Sequence, residues 1–258
     1  MTARRPAPLL EVDAISVLYS RTVRAIDQLS FTVGKGEIVA LLGPNGAGKS
    51  TTLRAITGFL PGDRAQVVAG SVRFKGREVA HLPPHQTIGL GLALIAERDK
   101  IFATLTVEEN LQIGARANRA RGNLQAQRDF VFAMFPILKD RRRQLAGYLS
   151  GGERQMLAIA AALQSGPELL MVDELSLGLA PKIVAELVGI LRRINQEHGM
   201  SILLVEQSAS VAFAIAQHVH VLNLGRSTIQ GSPSELRSRE DFSRSYLGVA
   251  PTGPGASS

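Results

Sequence analysis

Gly43-Pro44-Asn45-Gly46-Ala47-Gly48-Lys49-Ser50-Thr51 stands between the apolar run Ile38-Val39-Ala40-Leu41-Leu42 and the segment Thr52-Leu53-Arg54-Ala55-Ile56. It fits the G-x-x-x-x-G-K-[ST] phosphate loop in the context that pattern needs, a buried strand feeding a helix. Gly43, Gly46 and Gly48 permit backbone dihedrals that a Cβ forbids, so successive N–H groups from Asn45 through Thr51 turn inward around a polyphosphate. A helix starting at Lys49 adds its unpaired N–H groups and positive dipole end. Lys49 is placed to reach the β- and γ-phosphates as a point charge, and the Ser50 hydroxyl to ligate Mg²⁺.

Upstream of this loop, Leu10 to Tyr19 and Val23 to Val33 alternate apolar and polar residues, which predicts two strands of an antiparallel hairpin region. Gly34-Lys35-Gly36 turns the chain into the buried strand. Downstream, Pro61-Gly62-Asp63 breaks the pattern and Val67 to Phe74 reads as another strand. Pro83-Pro84 opens a short segment leading to the apolar run Leu90 to Ile95. From Thr106 the period changes: Thr106-Val107-Glu108-Glu109 reads as a capping box, with helical spacing through Ala117. The spacing predicts further helices over Leu124 to Leu138 and Gly151 to Gln164, so residues of about 100–165 form a helical insertion in a larger α/β frame. Leu169 to Val172 and Ile202 to Val205 read as buried strands, with Pro181 to Glu197 helical between them. Strands and helices alternate to about Tyr246, and a Pro, Gly and Ser tail follows.

The 258 residues suit one large domain or two modest ones, and a hydrophobic fraction of 45% with 20% charged residues is that of a globular chain. The absence of cysteine rules out a disulfide scaffold and a thiolate metal site, and it fits a reducing compartment. Glu11 and Asp13 interrupt the first apolar segment, so no signal-peptide core is expected there. No apolar stretch approaches the roughly 18–20 residues needed to cross a bilayer. A formal charge of +7 raises nucleic acid or an anionic membrane surface as partners. The cations are scattered, with one dense run at Arg141-Arg142-Arg143, and that pattern reads as solvated surface rather than a nucleic-acid footprint.

Asp173 and Glu174 follow the Leu169 to Val172 strand, at the strand end where open α/β sheets bind ligands. An acid at this place in phosphate-loop proteins holds Mg²⁺, and a carboxylate beside it accepts the proton of the attacking water. Leu149-Ser150-Gly151-Gly152-Glu153-Arg154-Gln155 gives a second helix start fit for an anion: Ser150 caps it, and Gly151 and Gly152 leave its first N–H groups open. Taken in this order, the phosphate loop, this LSGGQ-type signature and the aspartate-glutamate strand end resemble the ABC-transporter ATPase family over about Leu10 to Leu247, with Glu153 where glutamine is commoner. The fold implied is a phosphate-loop α/β ATPase with an antiparallel β subdomain and an inserted helical subdomain. One such domain would span residues 9–247, with 248–258 a flexible tail.

The resemblance implies a head-to-tail dimer, in which the signature of one subunit closes on the γ-phosphate held by the phosphate loop of the other. ATP and Mg²⁺ are the implied cofactors, and hydrolysis reopens the dimer. Tyr19 matches the family's adenine-stacking aromatic. Two positions depart from the general pattern. Ala96-Glu97-Arg98 stands where most members carry a glutamine after the Leu92 to Ile95 strand, and Glu206-Gln207-Ser208 stands where most carry a switch histidine. Glu97 is still able to ligate Mg²⁺ or orient water. Gln207 hydrogen-bonds a γ-phosphate through its amide but does not exchange a proton as imidazole does, which leaves proton acceptance to Glu174.

Glu97-Arg98, the segment Ile101 to Leu111, Ser176-Leu177-Gly178-Leu179-Ala180-Pro181 and Val205-Glu206-Gln207 together resemble the second ATPase subunit of branched-chain amino acid importers. Leu175 replaces a usual proline, and Ala96 another. The partners implied are a second ATPase subunit (a related chain or a second copy), two transmembrane permeases, and indirectly an extracytoplasmic solute-binding protein, with this chain peripheral at the cytoplasmic face of the plasma (inner) membrane. The permease coupling helices would meet the segment Glu97 to Asn110. An importer of another small polar solute such as urea or amides, an export ATPase, and a soluble ABC ATPase acting on nucleic acid are the competing readings. The last of these usually carries two cassettes, a coiled coil or zinc-binding cysteines, none of which this chain has.

Overall fold

The computed structural model describes residues 7–60, 64–97, 101–116, 123–239 and 242. Met1 to Pro6, the turn expected at Pro61-Gly62-Asp63, Arg98, Ala117 and the expected tail with its boundary at 247 lie outside the described residues.

Among the described residues ten strands form two sheets. β1 (Leu10–Tyr19), β2 (Val23–Val33), β4 (Ala65–Phe74) and β5 (Arg77–Glu78) make an antiparallel sheet in the order β2-β1-β4-β5. The second sheet contains β3 (Ile38–Leu42), β6 (Leu92–Ile95), β7 (Leu169–Asp173), β8 (Ser201–Glu206), β9 (His218–Asn223) and β10 (Arg226–Gly231), in the order β10-β9-β3-β8-β7-β6. Its strands run parallel from β9 to β6, and β10 turns back antiparallel on the edge. The parallel strands read as continuous apolar runs because helices or the other sheet cover both faces. Within β3, Ile38, Ala40 and Leu42 join the core shared with the helices, while Val39 and Leu41 join the core shared with the antiparallel sheet. All five are buried, each large side chain contributing about 1.5–3 kcal/mol relative to exposure.

The helices are α1 (Lys49–Thr57), α2 (Pro84–Leu90), α3 (Val107–Arg116), α4 (Leu124–Met134), α5 (Pro136–Asp140), α6 (Gly151–Gln164), α7 (Pro181–His198), α8 (Ala209–Ile215) and α9 (Pro233–Ser238). The described residues of 107–164 are largely helical, as the changed period predicts, and α6 packs on α3, α4, α5 and α7. The single helix expected from Leu124 to Leu138 is two. Pro136 has no N–H to continue the ladder and pushes Phe135 to φ −130°, ψ 70°, so α4 stops and α5 starts with Pro136 at its first turn. Among the described residues no helix is long and apolar enough to cross a membrane.

Candidate functional site

The order β3-β8-β7-β6 brings four C-terminal strand ends side by side. Gly43 follows β3, Glu206 ends β8 with Gln207 beyond it, Asp173 ends β7 with Glu174 beyond it, and Glu97 lies two residues past β6. Four segments far apart in sequence therefore meet at one sheet edge, the place where open α/β sheets take ligands.

The phosphate loop is fixed from two sides. Gly43 donates its N–H to Glu206 O at 3.2 Å, and Gly225, in the β9–β10 turn, donates to Ala47 O at 3.0 Å. A Cβ on Gly43 would stand 2.5 Å from Leu222 O, and one on Gly48, at φ +99°, would stand 2.7 Å from Ala25 O. Glycine is required at both because backbone of β9 and of β2 occupies the space a side chain needs. Pro44, Asn45 and Gly46 are exposed at the rim, whereas Ala47, Gly48 and Lys49 are buried. Asp27 of β2 ties this region together, accepting from Arg24 and from Arg226 of β10; those two guanidinium groups hold its carboxyl below the usual carboxylate range.

Lys49 is only 4% exposed, and its ammonium donates to Gly43 O at 2.9 Å and Pro44 O at 3.1 Å. The same nitrogen lies 3.6 Å from Glu174 Oε1. Ser50 donates its hydroxyl to Asp173 Oδ1 at 3.2 Å. Burial pushes the Asp173 carboxyl above its ordinary range; the charges of Glu174 and Glu97 push the same way, against the Ser50 hydrogen bond and the Lys49 charge. Lys49, Ser50, Asp173 and Glu174 thus form one contact cluster, with Glu97 close enough for its charge to act on it. Tyr19, at the end of β1, is half-buried and its hydroxyl is 3.1 Å from Thr51 Oγ1, which sets the ring beside the first turn of α1.

Glu174 has φ +53°, a left-handed conformation that side chains rarely take, and its N–H is held by Val205 O at 2.9 Å. Such backbone is costly by about 1–3 kcal/mol and persists where surrounding contacts determine it. Here it turns the Glu174 carboxylate back toward Lys49 while Asp173 keeps strand geometry.

No group of three or more His, Cys, Asp or Glu side chains with metal-holding geometry occurs among the described residues. Ser50 Oγ and Asp173 Oδ1 are hard oxygen atoms of the kind a magnesium ion accepts while it keeps water and phosphate oxygens as its other ligands.

The signature is elsewhere. No hydrogen bond or ion pair among the described residues joins Ser150, Gly151, Gly152 or Glu153 to the phosphate loop. Ser150 Oγ accepts from Glu153 N at 3.3 Å and Glu153 Oε2 accepts from Ser150 N at 2.8 Å, a reciprocal capping box. Gly151 and Gly152 keep N–H groups without partners among the described residues, as an anion-binding helix start requires. Gly152 has a second reason to be glycine, because its Cβ would stand 2.6 Å from Ile183 Cγ2 of α7. Arg141 lies 3.3 Å from Glu153 and compensates its charge, which uses the first member of the basic run. Gln207 is exposed beyond β8. Glu206 beside it is a buried carboxyl whose signal in the sequence is its place at the end of an apolar strand.

Residues 26–176 match the family model described as ABC transporter. The chain is 40% identical over 240 residues to the high-affinity branched-chain amino acid transport ATP-binding protein BraG of Pseudomonas aeruginosa, covering 93% of this chain and 100% of that one. It is 27% identical over 265 residues to BraF, a second high-affinity branched-chain amino acid transport ATP-binding protein of the same organism, covering 94% and 99%. A crystal structure of the ADP conformation of an ATP-binding cassette of an ABC transporter superposes with a TM-score of 0.82 at 23% identity, covering 95% of this chain and 100% of that one, a likeness of fold.

Proposed function

We propose that this chain, which belongs to the ABC transporter family and is an ATP-hydrolysing component of such a transporter, energises uptake of branched-chain or closely related amino acids. The observation that carries the solute class is the end-to-end likeness to BraG, which exceeds the likeness to BraF from the same organism. That contrast also favours a second, related ATPase subunit as the partner. Two transmembrane permeases and a solute-binding protein complete the assembly, with this chain peripheral at the cytoplasmic face and its segment Glu97 to Asn110 toward the permeases. The domain runs over 9–247.

In this reading the phosphate-loop N–H groups and Lys49 bind the β- and γ-phosphates, and Tyr19 stacks on the adenine. Ser50 and Asp173 hold Mg²⁺, with Glu97 behind them; the ion supplies charge neutralisation on the phosphate oxygens. Phosphate drawn onto Lys49 takes the place Glu174 holds beside the ammonium. The freed Glu174 carboxylate accepts the proton of the attacking water, and Gln207 orients the γ-phosphate through its amide. Ser150, Gly151, Gly152 and Glu153 of the partner subunit's equivalent signature close over the same phosphate, so each ATP is shared by two chains.

Leucine uptake into vesicles tests this. The chain co-expressed with its permeases, partner ATPase and binding protein should support ATP-dependent uptake of labelled leucine that Glu174→Gln abolishes. Uptake of urea or short amides with no response to leucine would overturn the solute assignment, and binding to DNA in place of membranes would overturn the transporter reading.

A further inference from the structure

Glu206 is 1% exposed, and the roles assigned above do not use it. Its position is unusual. β8 lies between β3 and β7, with Glu206 opposite Leu42 on one side and Val205 opposite Asp173 on the other. The Glu206 carbonyl takes the Gly43 N–H that opens the phosphate loop. Its carboxylate faces the other way. Oε1 accepts from Ser176 N at 3.1 Å and Oε2 accepts from Ser176 Oγ at 2.9 Å. A backbone hydrogen bond from Ser208 also reaches the carboxylate. One residue therefore touches the start of the phosphate loop, the segment after Glu174 and the segment after Gln207.

A buried carboxylate is retained only where donors hold it, since the desolvated charge is otherwise costly. Burial pushes this carboxyl above its ordinary range, and the Ser176 and Ser208 hydrogen bonds oppose that shift. What the donors gain in return is a fixed position. Glu174 sits in a left-handed conformation two residues before Ser176, with buried Leu175 between them. Held at Val205 O on its N-terminal side and at Glu206 on its C-terminal side, the turn has little freedom to re-aim the Glu174 side chain. Beyond Ser176 the chain is open: Leu177 is exposed and a Cβ on Gly178, at φ +70°, would meet nothing. Leu179 then packs near Gly151 of the signature helix.

We infer that Glu206 is a positioning residue for ATP hydrolysis, whose carboxylate pins Ser176 to the end of β8 and so fixes the turn that aims Glu174 at the γ-phosphate. The inference rests on Glu174 being the proton acceptor. Glu206 itself touches neither nucleotide nor water in this arrangement. A polar residue is needed there because two donors of Ser176 and one of Ser208 converge on it, a demand that an apolar side chain leaves unmet.

The test is steady-state ATP hydrolysis by the full-length chain in its transporter complex, with ATP binding measured separately. Misaiming a reacting group by about 1 Å costs about 100-fold, so Glu206→Ala should lower kcat by about that factor and leave nucleotide affinity near that of wild type. Glu206→Gln still accepts the Ser176 N–H and offers its amide to the Ser176 hydroxyl, so it should restore most of kcat. Ser176→Ala, which removes one of the three donors, should give a smaller loss, and it should add nothing to Glu206→Ala. Glu206→Ala must unfold near the wild-type temperature for its kinetics to count. If it does not fold, Ser176→Ala and Glu206→Gln decide alone. Unchanged kcat in Glu206→Ala, or in Ser176→Ala when only that variant folds, would overturn the inference, as would loss of affinity in step with kcat. Wild-type and Glu174→Gln chains run alongside: if those two hydrolyse ATP equally, the Glu174 assignment fails rather than the Glu206 one.

Discussion

Lys49 Nζ lies 3.6 Å from Glu174 Oε1, so a cation and a carboxylate neutralise each other in a buried place. In the roles proposed for them, each has to leave the other before either works. Glu174→Gln removes the competitor for Lys49 along with the proton acceptor. It should bind ATP at least as tightly as wild type while turnover falls by about 10²–10⁴-fold, the usual worth of a general base. Gln207→Ala should slow turnover far less. Equilibrium nucleotide binding and steady-state hydrolysis on the three proteins check the ranking, and equal losses from Glu174→Gln and Gln207→Ala would contradict it.

Gly43→Ala places a methyl group 2.5 Å from the Leu222 carbonyl oxygen, a backbone atom that cannot swing away. The loop or β9 must shift, costing about 1–3 kcal/mol as other overpacked sites do. Thermal unfolding should register that loss, and ATP binding should weaken with it. Gly178→Ala meets no atoms, and there the strain of φ +70° alone should register.

Glu153 puts a negative charge at the signature helix start, where the proposed dimer would bring the partner's γ-phosphate, and Arg141 offsets it at 3.3 Å. Glu153→Gln keeps an acceptor for the Ser150 N–H and removes the charge. It should therefore tighten ATP-driven dimerisation in a Glu174→Gln background by about 0.3–1 kcal/mol. Arg141→Ala should do the reverse. Sedimentation against ATP concentration measures both, and weaker association in Glu153→Gln would sink this reading of the pair.

His220 packs its ring near Phe31 and has a buried Nδ1 without a partner among the described residues, and burial lowers its pKa from 6.5 to about 4. The folded state takes a proton less readily than the unfolded state, so this group's stabilisation is present above pH 6.5 and is lost as the pH falls toward 4. The loss is of the order of 2–3 kcal/mol. A His220→Phe variant should show a flatter stability profile than wild type across that window. Parallel profiles in chemical denaturation would contradict it.

Glu206 titrates with the opposite sign. Its folded pKa is raised above the ordinary 4.5, so its contribution is present below that value and fades as the pH rises through the folded value. Relative to wild type, Glu206→Gln should gain stability with rising pH from 4.5 upward, the reverse of the His220→Phe trend.

The parts of the site built from contiguous residues were legible in the sequence. The strand, glycines and lysine of the phosphate loop, the capped start of α6 and the acidic end of β7 each declare themselves within a dozen residues, because local backbone chemistry makes them. Pro136 was legible too, and the helical spacing around it masked the break it causes. Glu206 was not: its three donors come from Ser176 and Ser208, and its burial from strands on both sides, so only the assembled sheet reveals it. The left-handed turn at Glu174 is likewise imposed by Val205, thirty-one positions away in the numbering.

β3 finds both of its neighbours, β8 and β9, in residues 201–223. During synthesis the segment that carries Lys49 leaves the ribosome with two bare edges and waits for about two thirds of the polypeptide to follow. Long-range pairing of this kind folds slowly and leaves strand edges open to the wrong partner. Stalled or truncated products ending before Ser201 should therefore aggregate or be degraded, and a nucleotide-binding fragment cannot be cut from the first half of this chain.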